Sequence, residues 1–271
     1  MVIVQAMEAL GNEFILIDAI SQKIDSEEEL KLLKICAKEF SFDQLLFLEP
    51  PTQKHAHLKL KIYNVDGSLA ENCVNGIRAL ALYAFDESLV FSNTFILQIE
   101  DNLAQITRLQ ENEFAVKMSS FKFTKSSCAI ADSQELQFNF EGTDIKFYPV
   151  SVGNPHAVIF QDSLSDQIPE MGLTLQESNI YKNGVNVGFV EILNEKEINL
   201  RVVERGVGET LACGSGACAA VLSGVKNNLL QSSVLVNFKK GKLKVEVNLD
   251  EEWFNLIGEA KYIEKGIKIN P

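Results

Sequence analysis

The sequence predicts an α+β protein built from two related halves, each mostly β-strand with one central helix that opens at a cysteine. Three observations carry this reading. First, LGNEFILI at 10–17 recurs as VGNPHAVI at 152–159, an offset of 142 that superposes Asn12 on Asn154, and Gln44 falls opposite Asn186 at the same offset. Second, KIYNVDGSLAENC at 61–73 laid over RVVERGVGETLAC at 201–213 superposes Asn64 on Glu204 and Cys73 on Cys213, at an offset of 140. Landmarks that keep their order and spacing through both halves mark a duplicated domain. Third, NCVNGIRAL at 72–80 and ACGSGACAA at 212–220 each put a cysteine immediately before a turn that opens a helix. The N–H groups of a first helical turn have no partner inside the helix, so a sulfur there meets the positive end of the helix dipole and is expected to ionise readily. With a pseudo-twofold axis between the halves, the two cysteines would address one substrate from opposite sides.

In chain order, VIVQAM and FILID are short β-rich runs around the Gly-Asn turn of ALGNE. SEEELKLLKICAKE at 26–39 has apolar residues at 30, 32, 33, 35 and 37, acids first and lysines later, which predicts an amphipathic helix aligned with its dipole. QLLFLE and HLKLKIYN read as strands, and the helix after Cys73 carries Ile77, Leu80, Ala81, Ala84 and Phe85 on one apolar face. FILQIE, AQITRL and EFAVKM complete the first half. In the second, LQFNF, IKFYPV, AVIF, VGFVEIL and EINLRVVE read as strands. GACAAVLSGV is small or apolar nearly all round and predicts a helix buried on every side, followed by the strands SVLVNF, LKVEVNL and WFNLIG. The changeover falls near 118–126, giving domains at 1–118 and 119–262, with about 263–271 returning to the first.

With 271 residues, the chain is long enough for two buried cores. Its 37 acidic against 25 basic residues leave no basic surface for nucleic-acid phosphates. No apolar run has membrane-spanning length, and five cysteines without a secretory-type leader make a reducing cytoplasm the default expectation. Cys36, on an amphipathic helix, and Cys218, inside a buried one, read as packing residues. GVGETL at 206–211 begins like a dinucleotide fingerprint but has Leu211 where the third glycine belongs, so it reads as a turn. His55, His57 and His156 do not complete a zinc-ligand set with Cys213 and Cys218, and no metal is expected. For Cys73 and Cys213, packing is the plain alternative; their mirrored surroundings favour a site. Asn12, Asn64, Asn154 and Asn186 would line it, and Glu204 with Arg205, at the end of a strand leading to the cysteine turn, would meet a charged ligand.

MEALGNEFILID, FDQLLFLEPP at 42–51, YNVDGS ahead of Cys73, VGNPHAV at 152–158 and ERGVGETLACGSGACA at 204–219 resemble the diaminopimelate epimerases, pyridoxal-independent amino-acid epimerases, over essentially the whole chain. The resemblance implies two pseudo-symmetric domains, each a β-barrel-like sheet wrapped around a central helix, with the active cleft between them. It implies cofactor-independent interconversion of LL- and meso-diaminopimelate, for lysine and peptidoglycan precursors, with Cys73 and Cys213 exchanging acid and base roles. His156 and Glu204 would sit near the reacting centre. Asn12, Gln44, Asn64, Asn154, Asn186 and Arg205 would line the pocket, and N–H groups of Val74, Asn75, Gly76, Gly214, Ser215 and Gly216 would hold the α-carboxylate. Implied partners are a small amino-acid substrate, neither nucleic acid nor membrane, with room for a homodimer. Where that family usually has Gly-Asn-Gly after the first cysteine, this chain has Val74-Asn75-Gly76; a helical φ would suit valine and a positive one would strain it. A two-cysteine racemase of another amino acid, and a ligand-binding member without turnover, remain open readings.

Overall fold

The structure, a computed structural model, describes residues 1–70 and 73–270. Asn72, the first residue of the first cysteine motif, lies outside them. The chain divides into two compact units, one of Met1–Met118 together with the chain from Ile257 onward, the other of Ser119–Leu256. The return to the first unit thus begins earlier than residue 263, because it starts inside a strand. The whole is sheet-dominated α+β.

The first unit runs β1 (Val2–Ala9), β2 (Asn12–Asp18), a single helical turn α1 (Ala19–Gln22), α2 (Ser26–Glu39), β3 (Gln44–Glu49), β4 (Leu58–Asn64), α3 (Val74–Asp86), β5 (Thr94–Ile99), β6 (Asn102–Arg108) and β7 (Glu113–Met118). The second runs β8 (Gln137–Phe140), β9 (Thr143–Lys146), β10 (Tyr148–Ser151), β11 (Pro155–Gln161), α4 (Ile168–Glu177), β12 (Asn186–Asn194), β13 (Glu197–Glu204), β14 (Gly208–Thr210), α5 (Gly214–Lys226), β15 (Ser233–Phe238), β16 (Gly241–Asn248) and β17 (Trp253–Glu259), and β18 (Lys261–Ile269) closes the chain in the first unit. Sheet order is β7-β6-β5-β4-β3-β2-β1-β18 in the first unit and β10-β11-β12-β13-β15-β16-β17 in the second, where β14 adds to β13 and β8–β9 form a separate hairpin.

The duplication is visible in the strand register. Phe14 pairs with Gln44 across the parallel β2–β3 ladder, and His156 with Asn186 across the parallel β11–β12 ladder, both 142 residues on. Leu58 pairs with Leu97 across β4–β5, and Ile198 with Val236 across β13–β15. A one-residue slip would turn each strand's apolar set away from the core, so matched registers mean matched cores. The turns that place Asn12 and Asn154 also match. Gly11 and Gly153 precede them at φ 88° and 101°, a region other residues seldom enter.

Each sheet curls around its helix. Strands from near both ends of the order, β7 and β1, touch α3, and β10 and β16 likewise touch α5. Every residue from Val74 to Ala84 in α3, and from Gly214 to Gly224 in α5, is buried. The single apolar face read for α3 is therefore corrected: a helix enclosed by a sheet has no solvent side, and Asn75 and Arg78 are buried with the rest. On the outer layer α2 begins with a capping box between Asp25 and Glu28 and packs Leu32, Leu33 and Cys36 on Phe47 and Tyr63. Its counterpart α4, which periodicity alone does not reveal, packs Ile168, Met171 and Leu175 on Phe189. Each such large apolar side chain contributes roughly 1.5–3 kcal/mol on burial. No helix among the described residues is long and apolar enough to cross a membrane.

Candidate active site

Cys73 and Cys213 occupy equivalent N-caps. Both have extended backbones, at φ −147°, ψ 92° and φ −137°, ψ 110°, and both precede helices of 13 residues. The Gly76 N–H donates to Cys73 Sγ at 3.3 Å and the Gly216 N–H to Cys213 Sγ at 3.4 Å, which corrects the expectation that these two N–H groups serve a carboxylate: each is engaged by its own cysteine. A side chain at either glycine would crowd its neighbours. A Cβ on Gly76 would lie 3.0 Å from Leu46 Cδ2 and 3.5 Å from the sulfur; on Gly216 it would lie 2.9 Å from Val202 Cγ2 and 3.3 Å from the sulfur. Val74 and Gly214 are the first helical residues. Val74 is absent from the positive-φ residues, so valine there is unstrained.

The thiols differ in surroundings. Cys73 is half-buried, Cys213 buried. Burial first, and then the Glu204 carboxylate, push the Cys213 thiol well above its ordinary value; Ser215 Oγ, at 3.5 Å, and the Gly216 N–H pull it only partly back. This corrects the expectation of ready ionisation at this turn. A helix terminus contributes about 0.3–2 kcal/mol, whereas full burial shifts a thiol by up to about 3–5 pH units. Cys213 is therefore a protonated thiol at neutral pH.

Of the other sequence-selected residues of the second unit, Glu204 acts on Cys213 directly, and His156, Asn154, Asn186 and Arg205 are linked to one another. Glu204 ends β13, and Thr210 Oγ1 donates to its carboxylate at 2.5 Å. His156 is 1% exposed, and its Nε2 lies 3.1 Å from Asn154 Oδ1. An amide oxygen only accepts, so Nε2 carries the hydrogen and Nδ1 is a bare acceptor, with no hydrogen-bond partner among the described residues. Burial, then the charge of Arg205, hold the imidazole down to about 3, so it is neutral at physiological pH. Asn186 Oδ1 accepts the Arg205 N–H at 2.9 Å, and the exposed Arg205 guanidinium donates to the Asn183 carbonyl.

In the first unit, Gln44 and Asn64 are register partners on β3 and β4, joined at 3.1 Å. Asn75 Nδ2 donates to Asn12 Oδ1 at 2.6 Å, and Asn12 Nδ2 to Asp43 at 3.2 Å. Sequence reasoning missed Thr210, Asp43 and Arg78. The signals were present: Thr210 lies in GVGETL, Asp43 directly precedes Gln44, and Arg78 is a charge in an otherwise small and apolar helix. Among the described residues, no three His, Cys, Asp or Glu side chains are grouped to hold a metal.

A family model described as diaminopimelate epimerase matches residues 4–124 and 148–263. The diaminopimelate epimerase of Teredinibacter turnerae is 35% identical over 266 residues, covering 96% of each chain. That of Acinetobacter baumannii is 36% identical over 247 residues, covering 89% of this chain and 88% of the relative. Among solved structures, a hydroxyproline epimerase from Agrobacterium vitis superposes with a TM-score of 0.73 at 11% identity, over 99% of this chain and 90% of that one, a likeness of fold. The chain belongs to the diaminopimelate epimerase family, a family of isomerases.

Proposed function

We propose that this family member interconverts LL- and meso-diaminopimelate, in the formation of lysine and peptidoglycan precursors, by proton transfer between two cysteines and the α-carbon. The observation that carries the reading is the pair of equivalent cysteine-capped helix starts, Cys73 on Gly76 N–H and Cys213 on Gly216 N–H. Inverting a carbon centre requires a base on one face and an acid on the other. In one direction Cys73, as thiolate, takes the α-proton, and the Cys213 thiol delivers its own to the opposite face. The sulfurs finish with their protonation states exchanged, ready for the reverse reaction. The buried, protonated Cys213 suits the donor's part.

An α-proton of an amino acid is very weakly acidic, so the barrier must be lowered by groups that favour charge as it develops. The first N–H groups of α3 and α5, from residues 74–75 and 214–215, have no acceptor within their own helices and are suited to the α-carboxylate. Glu204 supplies a carboxylate for the α-ammonium, and His156, neutral, offers Nδ1 as an acceptor without adding a cation. Asn12, Gln44, Asn64, Asn154, Asn186 and Arg205 are assigned to the rest of the substrate, including its distal amino-acid end.

The test is proton NMR of LL-diaminopimelate with the reduced protein in heavy water, beside a panel of ordinary amino acids. Loss of the α-proton signal with appearance of the meso isomer is expected. Exchange in a different amino acid alone would keep the chemistry and replace the substrate, and exchange in none would overturn the reading.

A further inference from the structure

Arg78 is the largest fully buried side chain among the described residues, at 0% exposure, in the second turn of the helix that Cys73 caps. A buried guanidinium is costly unless its donors are used. Here Nε reaches the Glu259 carbonyl at 3.3 Å, and Nη2 donates to Asn75 Oδ1 at 2.9 Å. Arginine has donors only, so Asn75 must turn its oxygen inward and its Nδ2 outward. That Nδ2 donates to Asn12 Oδ1, which turns the Asn12 Nδ2 to Asp43. Asp43 Oδ2 also accepts the Glu13 N–H at 2.8 Å. Every link runs in one direction, from a permanent cation to a carboxylate, so neither amide can flip without breaking two bonds.

The second half shows that the scaffold does not require this chain. At the repeat offsets of 140 and 142, Arg78 corresponds to Cys218, Asn75 to Ser215 and Asp43 to Val185, and only Asn12 keeps its type, as Asn154. A buried small residue serves at the same point of α5. The guanidinium therefore answers a need of the first half alone.

We propose that Arg78 and Asp43 are positioning residues, which fix the orientation of the Asn12 side-chain amide from its two ends, Arg78 acting through the buried Asn75. The functional part rests on the reading that the Asn12 side chain faces substrate; the relay itself does not. The test uses Arg78→Met, Arg78→Lys and the exposed-site variant Asp43→Asn, in the full chain labelled on asparagine side-chain nitrogen. In Arg78→Met and in Asp43→Asn, the side-chain amide signals of both Asn75 and Asn12 are expected to move together. Epimerisation kcat/KM should fall about tenfold or more in Arg78→Met and several-fold in Asp43→Asn, chiefly through KM, with partial recovery in Arg78→Lys, which keeps a donor but loses the fork. Unmoved Asn12 signals in Asp43→Asn would overturn the relay whatever the substrate is, even if Arg78→Met failed to fold. Moved signals with kcat/KM unchanged on diaminopimelate would overturn the positioning role. A wild-type chain without epimerisation would sink the functional reading and, with it, the positioning role, while the amide signals still decided the relay.

Discussion

Cys73 and Cys213 cap helices of the same length with the same sulfur-to-amide contact, yet their neighbours share little. Cys73 is half-buried at the head of a helix that buries Asn75 and Arg78; Cys213 is buried at the head of one that carries Ser215 and Cys218, under the field of Glu204. At the register position where the second half carries His156, the first carries Phe14, and Asn64 stands where the second has Glu204. Both halves share a backbone that aims a sulfur at helical N–H groups, and they differ in the burial of that sulfur and in the residues around it.

The most severe way to break the comparison is to remove either thiol. Cys73→Ser and Cys213→Ser should each lower epimerisation by roughly 10²–10⁴-fold, the range of a lost proton-transfer group, because a serine hydroxyl is a far poorer acid and base. Rates of meso formation followed by NMR would show it, and a near-normal rate in either variant would sink the two-base assignment.

A smaller effect follows from giving the second half the residue of the first. Glu204→Asn copies Asn64 and removes the carboxylate that, after burial, raises the Cys213 thiol. A nearby negative charge disfavours a thiolate, so its loss must lower the thiol's pKa while burial keeps it above normal. In a Cys73→Ser background, the pH curve for alkylation of Cys213, read by peptide mass, should move to lower pH. An unmoved curve would leave burial as the sole cause.

What could be read from the sequence follows the same division. The repeat landmarks Asn12/Asn154 and Gln44/Asn186 were legible because strand register preserves spacing, and the 142-residue offset carried from α2 points to α4, which its own weak pattern hides. The protonation of Cys213 was not legible, because it depends on burial and on Glu204, and N-terminal placement on a helix argues the other way. The Arg78–Asp43 chain was hidden for a different reason. A wheel of α3 assigns Arg78 to a polar face, and only a sheet that closes around the helix turns that face inward.

The finest test concerns the residue that most separates the halves below neutral pH. His156 is held down to about 3 against an ordinary 6.5, first by burial and then by Arg205. Between these values the unfolded chain binds a proton that the folded one refuses. The neutral imidazole therefore contributes stability that is full above about 6.5 and is lost as pH falls toward 3, at up to about 1.4 kcal/mol per pH unit. His156→Phe, which installs the residue found at Phe14, has no proton to refuse. Urea unfolding at about pH 7 and about pH 5 should show the variant losing roughly 1–2 kcal/mol less than the wild type over that interval, since every other titrating group is common to both. Equal losses would mean that the imidazole takes up its proton within the folded chain, and the electrostatic contrast between the halves would then narrow to Glu204 alone.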